Sequence, residues 1–520
     1  MKRFIAALSS VILWLGCSGE PTETAKTGTP STAVANACEG PYPNYWQDAR
    51  FTETGMWAGE VISNQPPAGY SGPVFRLAQN YPSAPLNDSQ DWGWTAFNPF
   101  QPGLSQEEKQ KQASEYIWAV MKYIQAGNID RGASGGDIEN DWNLCENKVR
   151  NWYHMPYQTY DPLSGREFAH GLTREAPVTF GNLPGGLSVK TTMWAVGFYN
   201  AQGASTLGQV WTSSGTPSIP ASNISFPNGT VVGKLLFSTA TPDELDFLTN
   251  LPSWQINLSD PSFCQCKPSQ GESACTLTEM SEQCPRTLGR VYLTQFDIAV
   301  RDDRAPLGWA FGTFAADGKE KAAEPNPWNR ISALGLMWGN TPPPAGQGAA
   351  SFPDDPRANG FPDDVIFWDF AGRLNANSDA GHLGCNSRLN GPADNAASSC
   401  MSCHMTASVP DQSLVTPPIV AQFAGIKPQC ATPPNADVDA VYFADTGCAA
   451  SFQGGSVVPP PSYASGQKDW IALDYSLQLS ISLTQWGQWQ QHQQAPRMLT
   501  QSSGKAASRQ RRTMVTLPGR

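Results

Sequence analysis

Two cysteines and a histidine stand close together in the run Cys400-Met401-Ser402-Cys403-His404. This spacing is the one required for covalent attachment of a c-type haem. The two thiols add across the vinyl groups of the porphyrin as thioethers, and the histidine that follows becomes the proximal iron ligand. Because the vinyl groups are a fixed distance apart on the porphyrin edge, the separation of the cysteines is part of the signal. The pattern therefore predicts one covalent haem c on Cys400, Cys403 and His404.

Other uses of a Cys-x-x-Cys pair fit the sequence less well. A zinc ribbon needs a second pair of Cys or His ligands at ribbon spacing, and none follows His404. A thioredoxin-like site needs a βαβ setting, whereas the residues around the motif are rich in Gly, Pro and Asn. A structural disulfide between Cys400 and Cys403 is the remaining alternative.

At these residues the sequence resembles the c-type cytochromes. More loosely, the whole chain looks like the large cytochrome c-like lipoproteins of the bacterial envelope that carry a single attachment motif. The resemblance implies a domain that binds haem and transfers electrons. Small c-type cytochromes usually place a methionine some tens of residues after the motif as the sixth iron ligand. Here Met405 is too close to loop over the ring, and the next methionine is Met498.

The sixth ligand therefore stays open. A His/Met pair raises the reduction potential, two histidines usually leave it lower, and an open position would admit peroxide or a diatomic gas. We expect electron transfer in the cell envelope, with a redox partner protein that the sequence does not identify. The alternative is a haem-dependent oxidoreductase, peroxidase- or oxygenase-like, with an open iron site formed with the other domains. The distal ligand candidates are His382, His170, His154 and Met498.

The first residues predict export. Lys2 and Arg3 precede an apolar stretch that is too short to span a bilayer. The stretch ends at Gly16 and Cys17, an order that resembles a bacterial lipobox. The resemblance implies lipidation of Cys17, membrane attachment through that lipid, and a periplasmic or cell-envelope location in a Gram-negative bacterium.

Cysteine content agrees with an oxidising compartment, since the chain has 12 cysteines. Spacing favours three disulfide groups and leaves Cys385 over, although connectivity is not readable from sequence. The groups are Cys264, Cys266, Cys275 and Cys284 as two bridges, Cys430 with Cys448, and Cys38 with Cys145.

Composition bounds the class of protein. The 520 residues are 40% hydrophobic but only 15% charged, and 47 Gly and 44 Pro predict long polar connections. The net charge of −11 argues against a nucleic-acid partner, because no basic surplus is present to neutralise phosphates. No hydrolase or nucleotide-binding motif is found.

The pattern along the chain predicts an α+β multidomain protein with a small helical N-terminal region, an antiparallel β-rich, sandwich-like middle domain and a loop-rich cytochrome c-like haem domain. The predicted boundaries are 1–16 signal peptide, 17–37 tether, 38–163 α-rich region, 164–374 β-rich domain, 375–497 haem domain and 498–520 disordered basic tail.

Periodicity predicts individual elements within these regions. Ser105 and Glu108 make a capping box and Gly127 a C-terminal stop. Between them a helical apolar stripe contains Ala113, Tyr116, Ile117, Val120, Met121 and Ile124. The segment 291–300 alternates as a strand, with Tyr292, Thr294, Phe296, Ile298 and Val300 on one face. The segment 475–483 suits a strand or a helix, and its periodicity does not decide between them.

Overall fold

The structure is a computed structural model of the full chain. It describes residues 69–70, 80–86, 91–129, 142, 147, 149–158, 170–183, 187–211, 216–218, 223–258, 267–268, 283, 287–339, 363–371, 383, 388–394, 399–404, 407–410, 451–453, 456–458, 470–483 and 485–487. Cys17, His382, Met498 and the cysteines of the predicted disulfides lie outside these residues.

The central element is an eight-stranded antiparallel sheet in the order β1-β2-β3-β5-β6-β7-β8, with β4 paired to β5. The strands alternate with polar turns, and their apolar and β-branched residues favour the extended backbone. Their bounds are β1 Thr173–Leu183, β2 Leu187–Tyr199, β3 Val231–Ser238, β4 Ser253–Leu258, β5 Thr287–Arg301, β6 Trp309–Ala316, β7 Ile331–Met337 and β8 Asp364–Ile366.

Two smaller antiparallel pairs complete the described strands. The strand β9 Ser408–Pro410 pairs with β12 Trp470–Ala472, and β10 Ser451–Gln453 pairs with β11 Ser456–Val458. Short 3₁₀ helices occur at Gly93–Ala96, Asp246–Leu248 and Pro327–Asn329.

One face of the sheet is covered by helix α1, Gln106–Gln125. The predicted start is confirmed, because Ser105 accepts a hydrogen bond from the Glu108 N–H at 3.2 Å. The predicted apolar stripe is fully buried, and Gly127 follows the helix end with a φ of +75°. Ile117 packs against Gly312, and Trp118 lies edge-on to Phe314 at 4.8 Å.

The opposite face of the same strands receives the Cys400–His404 segment. Side chains alternate between the two faces of a strand, so Phe311 and Thr313 point away from the face that Gly312 and Phe314 present to α1. Phe311 contacts His404 and Thr313 contacts Cys400. The sheet therefore lies between α1 and the predicted haem-binding segment.

The α+β class is thus observed, with a large antiparallel sheet and helices. The described strands of the middle region form one sheet covered by a helix, instead of the two packed sheets of a sandwich. The difference has a physical cause, because alternation shows that a strand has one buried face and does not show what buries it. The apolar stripe of α1 supplies that cover.

The alternation predicted for β5 is correct from Phe296 to Val300 and fails at Tyr292. Consecutive residues Leu236 and Phe237 of β3 pair with Gln295 and Leu293, so Thr294 is an extra residue in β5. Such a bulge shifts the side chains that follow it to the other face. Leu293 is therefore buried with the Phe296 face, while Tyr292 turns to the opposite side.

The undecided segment 475–483 is a turn followed by a helix over residues 477–483. Leu479 and Leu483, one helical turn apart, are both buried. One continuous buried cluster includes Tyr116, Phe296 and Met401, so the hydrophobic core runs through all three predicted regions. Among the described residues, no helix combines the length and apolar character needed to span a membrane.

A second helix, α2 Ala201–Val210, follows β2 and begins at Asn200, whose side chain caps the Gly203 N–H. The Cys400–His404 segment forms a third, single-turn helix, α3. Its short length means that contacts with the sheet and with neighbouring loops must hold it in place.

Candidate functional site

Helix α3 is fixed at both ends by backbone hydrogen bonds. The Cys400 N–H donates to the Leu389 carbonyl at 3.1 Å, and the Cys403 N–H donates to the Ser399 carbonyl at 3.1 Å. After the helix, the Ala407 N–H donates to the His404 carbonyl at 3.2 Å. Met401 is fully buried within the turn and anchors it to the core. The structure thus brings Cys400, Cys403 and His404 onto one helical turn.

The His404 imidazole is oriented by a backbone carbonyl. Its Nδ1 lies 2.9 Å from the Tyr475 oxygen. Because a carbonyl oxygen only accepts, Nδ1 carries the proton and Nε2 keeps the lone pair that a metal needs. The ring also packs against Phe311, with centroids 4.4 Å apart. Burial lowers the pKa of His404 to about 4, which keeps the imidazole neutral at physiological pH.

The carbonyl of Tyr475 belongs to a strained turn. Asp474 and Tyr475 have φ values of 46° and 65°, a region that a bulky residue such as tyrosine rarely occupies. The Asp474 carboxylate holds the turn by accepting the Phe226 N–H at 2.7 Å and the Trp309 indole N–H at 3.0 Å. The Arg301 Nε lies 3.9 Å from the same carboxylate. Asp474 therefore sets the position of the oxygen that orients His404.

Neither cysteine of the motif is in a disulfide bond. The Cys400 Sγ lies 3.8 Å from the Thr313 hydroxyl, and burial raises the pKa of this thiol well above its usual value. The nearby Asp394 and Asp297 carboxyls raise that pKa further. A thioredoxin-like redox cysteine needs the opposite shift, toward the thiolate. The environment of Cys400 is therefore unlike that of a dithiol redox site.

A cluster of polar side chains lies on the sheet beneath α3, and sequence reasoning missed it. The Gln295 amide Nε2 lies 2.8 Å from both oxygens of Asp297 and 2.8 Å from one oxygen of Asp394. Lys234, the cross-strand partner of Asp297, forms an ion pair with Glu175 at 3.1 Å. The signal in the sequence was one polar residue on each of three neighbouring strands, at positions that pair directly across the sheet. These positions can be recognised as neighbours only when the strand pairing is known.

His154 lies at the outer edge of β2 and away from His404. Its Nδ1 donates to the Gly197 carbonyl at 2.9 Å, and its Nε2 has no hydrogen-bond partner among the described residues. Strand β2 is three steps from β6 in the sheet, and each step is about 4.8 Å, which gives about 14 Å. Two imidazole nitrogens that bind the same metal ion would lie no more than about 4 Å apart, since metal–imidazole bonds are about 2 Å long. This structure does not bring His154 to the motif.

His170 lies on the opposite face of the sheet. Its ring stacks on Trp254 at 4.6 Å, and Trp254 in turn stacks on Phe237. A chain of indole contacts leads from Trp254 through Trp328 and Trp142 to rings on the α1 face. The sheet therefore separates His170 from His404.

The residues present fit a covalent haem. Two free thiols and a neutral imidazole with an available Nε2 occupy one turn, as thioether attachment and proximal ligation require. Within the described part of the chain, no group of three or more His, Cys, Asp or Glu is placed to hold a metal ion. A haem does not need such a group, because the porphyrin itself supplies four nitrogen ligands.

Comparison of the chain with protein-family models, with curated proteins and with solved structures finds no match in any of the three. The geometry of α3 and its neighbours is therefore the basis of the function proposed below.

Proposed function

We propose that the protein is an exported c-type haem protein that transfers single electrons in the bacterial cell envelope. The observation that carries the proposal is the hydrogen bond from His404 Nδ1 to the Tyr475 carbonyl, 2.9 Å long. It fixes the tautomer and the ring orientation of a histidine that directly follows two free thiols. A metal-ligating histidine characteristically donates its other ring N–H to such a partner.

The chain's own residues have distinct roles in this proposal. Cys400 and Cys403 would hold the haem through thioether bonds, and His404 Nε2 would bind its iron. The bound haem supplies one-electron redox chemistry. Tyr475 orients the ligand, and Phe311 packs against its ring. Asp474 holds the Tyr475 carbonyl in place through its bonds to Phe226 and Trp309.

For the sixth ligand, we propose His382 first. The next residue, Leu383, forms a β-bridge with Leu389, and the Leu389 carbonyl accepts the Cys400 N–H. In the sequence His382 lies 18 residues before Cys400, so the chain between them is short enough to bring a ligand to the haem. Met498 is the second candidate. A six-coordinate iron of either kind suits electron transfer better than ligand activation.

Export and membrane attachment are part of the proposal. Covalent haem attachment takes place outside the cytoplasm, and the run from Lys2 to Cys17 predicts translocation and lipidation. The full chain would thus be tethered to the membrane through Cys17, with the haem presented to a partner protein.

The test is a visible spectrum of the purified protein, expressed with signal peptide and haem-ligation machinery. A pyridine haemochrome spectrum should show one haem c per chain, and carbon monoxide should leave the reduced spectrum unchanged. Substituting both Cys400 and Cys403 with alanine should abolish covalent haem. Survival of the c-type signal in that variant would overturn the proposal, whereas carbon monoxide binding would favour the oxidoreductase alternative.

A further inference from the structure

The polar cluster beneath α3 holds more negative charge than its cation can balance. Asp297 and Asp394 are close together, because oxygens of both lie 2.8 Å from the same Gln295 nitrogen. Lys234 is the cation of the cluster, and it is already paired with Glu175. With all three carboxyls ionised, one positive charge would face three negative charges. Such an arrangement favours a proton on one of the two aspartates.

Hydrogen bonds hold the two carboxyls side by side. The Gln295 Oε1 accepts the Ala393 N–H at 2.9 Å, which fixes the amide so that its Nε2 faces the aspartates. That nitrogen has two N–H bonds but three carboxylate oxygens at 2.8 Å. The Thr313 hydroxyl donates to Asp297 Oδ1 at 3.0 Å and the Gly391 N–H donates to Asp394 Oδ2 at 3.1 Å, and none of these neutral donors removes the excess negative charge. Burial raises the pKa of Asp297 to about 8, with the Asp394 carboxyl as the next cause, and burial also raises that of Asp394.

The cluster is connected to the attachment site through one hydroxyl. Thr313 Oγ1 lies 3.0 Å from Asp297 Oδ1 and 3.8 Å from Cys400 Sγ. The sulfur of Cys400 is the atom that would bond to the porphyrin edge. A carboxyl at this position would respond to the charge of the haem, because a single side chain, Thr313, lies between it and the attachment sulfur. The groups that face one another here are Cys400, Thr313, Gln295, Lys234, Glu175, Asp297 and Asp394.

We propose that Asp297 and Asp394 form a proton-binding site whose proton affinity rises when the haem gains an electron, so that it takes up a fraction of a proton from solvent and releases it when the electron leaves. This inference rests on the proposed function. The electron comes from a one-electron donor and adds one negative charge to the haem. The fraction of a proton that the aspartates bind compensates part of that charge, and counterions in solution balance the rest. Electron transfer by this protein would then be coupled to proton transfer.

Coulomb's law gives the size of the effect. Unit charges about 12 Å apart, at an effective dielectric constant of about 20, interact by about 1.4 kcal/mol, so each charge changes the proton affinity of the other about tenfold. A tenfold change in proton affinity corresponds to about 59 mV for a one-electron couple. The midpoint potential should therefore fall by about 59 mV in total as the pH rises through the two pKa values of the site, one with the haem oxidised and one with the haem reduced.

The experiment is a spectroelectrochemical titration of the holoprotein between about pH 6 and pH 9, around the raised pKa values. The wild type should show the fall in midpoint potential, and the double variant Asp297→Asn with Asp394→Asn should lose it. Asp246→Asn is the control, because it replaces the carboxyl group of an exposed side chain that pairs with Lys319, away from the cluster. Its potential should keep the wild-type dependence on pH.

Proton uptake by the wild type gives a second readout, measured with a pH-indicator dye during reduction in weakly buffered solution. It needs no variant, and uptake of a fraction of a proton per electron near pH 8 is expected. If the haem is covalent but its potential is independent of pH and no proton is taken up, the proton-binding site is overturned and the proposed function is not. The same holds if the pH dependence is unchanged in both the single variant Asp394→Asn and the double variant. Absence of covalent haem would overturn the proposed function as well.

Discussion

Replacing Asp474 with asparagine tests whether this carboxylate holds the carbonyl that orients His404. Asparagine has nearly the same shape and tolerates the φ of 46°, so the backbone conformation adds little to the effect. The substitution removes the charge and turns one acceptor oxygen into an NH₂ group. That group must face either the Phe226 N–H or the Trp309 indole N–H.

The magnitude follows from these contacts. One buried N–H loses its acceptor, which costs about 1–3 kcal/mol, and the other bond loses its charge assistance, about 1 kcal/mol. Burial raises the pKa of Asp474, which shows that the ionised carboxylate already carries a desolvation cost that asparagine avoids. The free energy of unfolding should therefore fall by about 2–3 kcal/mol.

Urea denaturation followed by tryptophan fluorescence measures this change, and the chain contains 18 tryptophans for the purpose. The matched control is Asp303→Asn. Asp303 lies 3.4 Å from the same Arg301 side chain but its own side chain is 64% exposed, so its loss should cost less than about 0.5 kcal/mol. In the holoprotein, Asp474→Asn should also shift the midpoint potential, because a displaced Tyr475 carbonyl weakens its bond to His404. Equal stabilities of the two variants together with an unchanged potential would refute the role given to Asp474.

Three further changes test the packing around the site. The pKa of Asp297 is raised to about 8, so the wild-type protein loses stability as the pH rises from the unfolded pKa of this group through about 8. The variant Asp297→Asn does not titrate there, so its free energy of unfolding relative to wild type should increase between pH 5 and pH 8. An equal difference from wild type in urea titrations at both pH values would contradict this. Gly391→Ala should lower the free energy of unfolding by about 1–3 kcal/mol and displace the Gln295 amide from the two aspartates, since the new Cβ would lie 2.1 Å from that amide. An unchanged melting temperature would show that the amide has room to move. Tyr116→Phe should cost about 1–2 kcal/mol by removing the 3.0 Å bond from its hydroxyl to Asp302, measured by the same titration, and an unchanged midpoint would argue against that bond.

Local sequence signals predicted the local elements well. The helix from Gln106 to Gln125 was readable because its cap and its apolar stripe both lie within one segment. The attachment motif was readable for the same reason, since Cys400, Cys403 and His404 are consecutive or nearly so. The helical turn that holds them was not predicted, because the spacing of the three residues does not show that the segment is helical.

Features that depend on pairing between distant segments were not predictable. Tyr475 lies 71 residues from His404, and nothing in the spacing of the two indicates that one orients the other. The bulge at Thr294 inverted part of the predicted face of β5, because an extra residue leaves no trace in the alternation on its own strand. Predicting the cluster around Asp297 and Asp394 would have required the register of β3, β5 and β6. These misses share one cause, which is that register belongs to the sheet and not to any one strand.

The most direct measurement of the central claim is the mass of the purified, exported protein before and after the double replacement of Cys400 and Cys403 with alanine, read together with the pyridine haemochrome spectrum. The account predicts that the wild type carries the mass of one haem and a c-type spectrum, and that the variant loses both. A wild-type chain without the added mass, obtained from cells that ligate haem to other proteins, would contradict it.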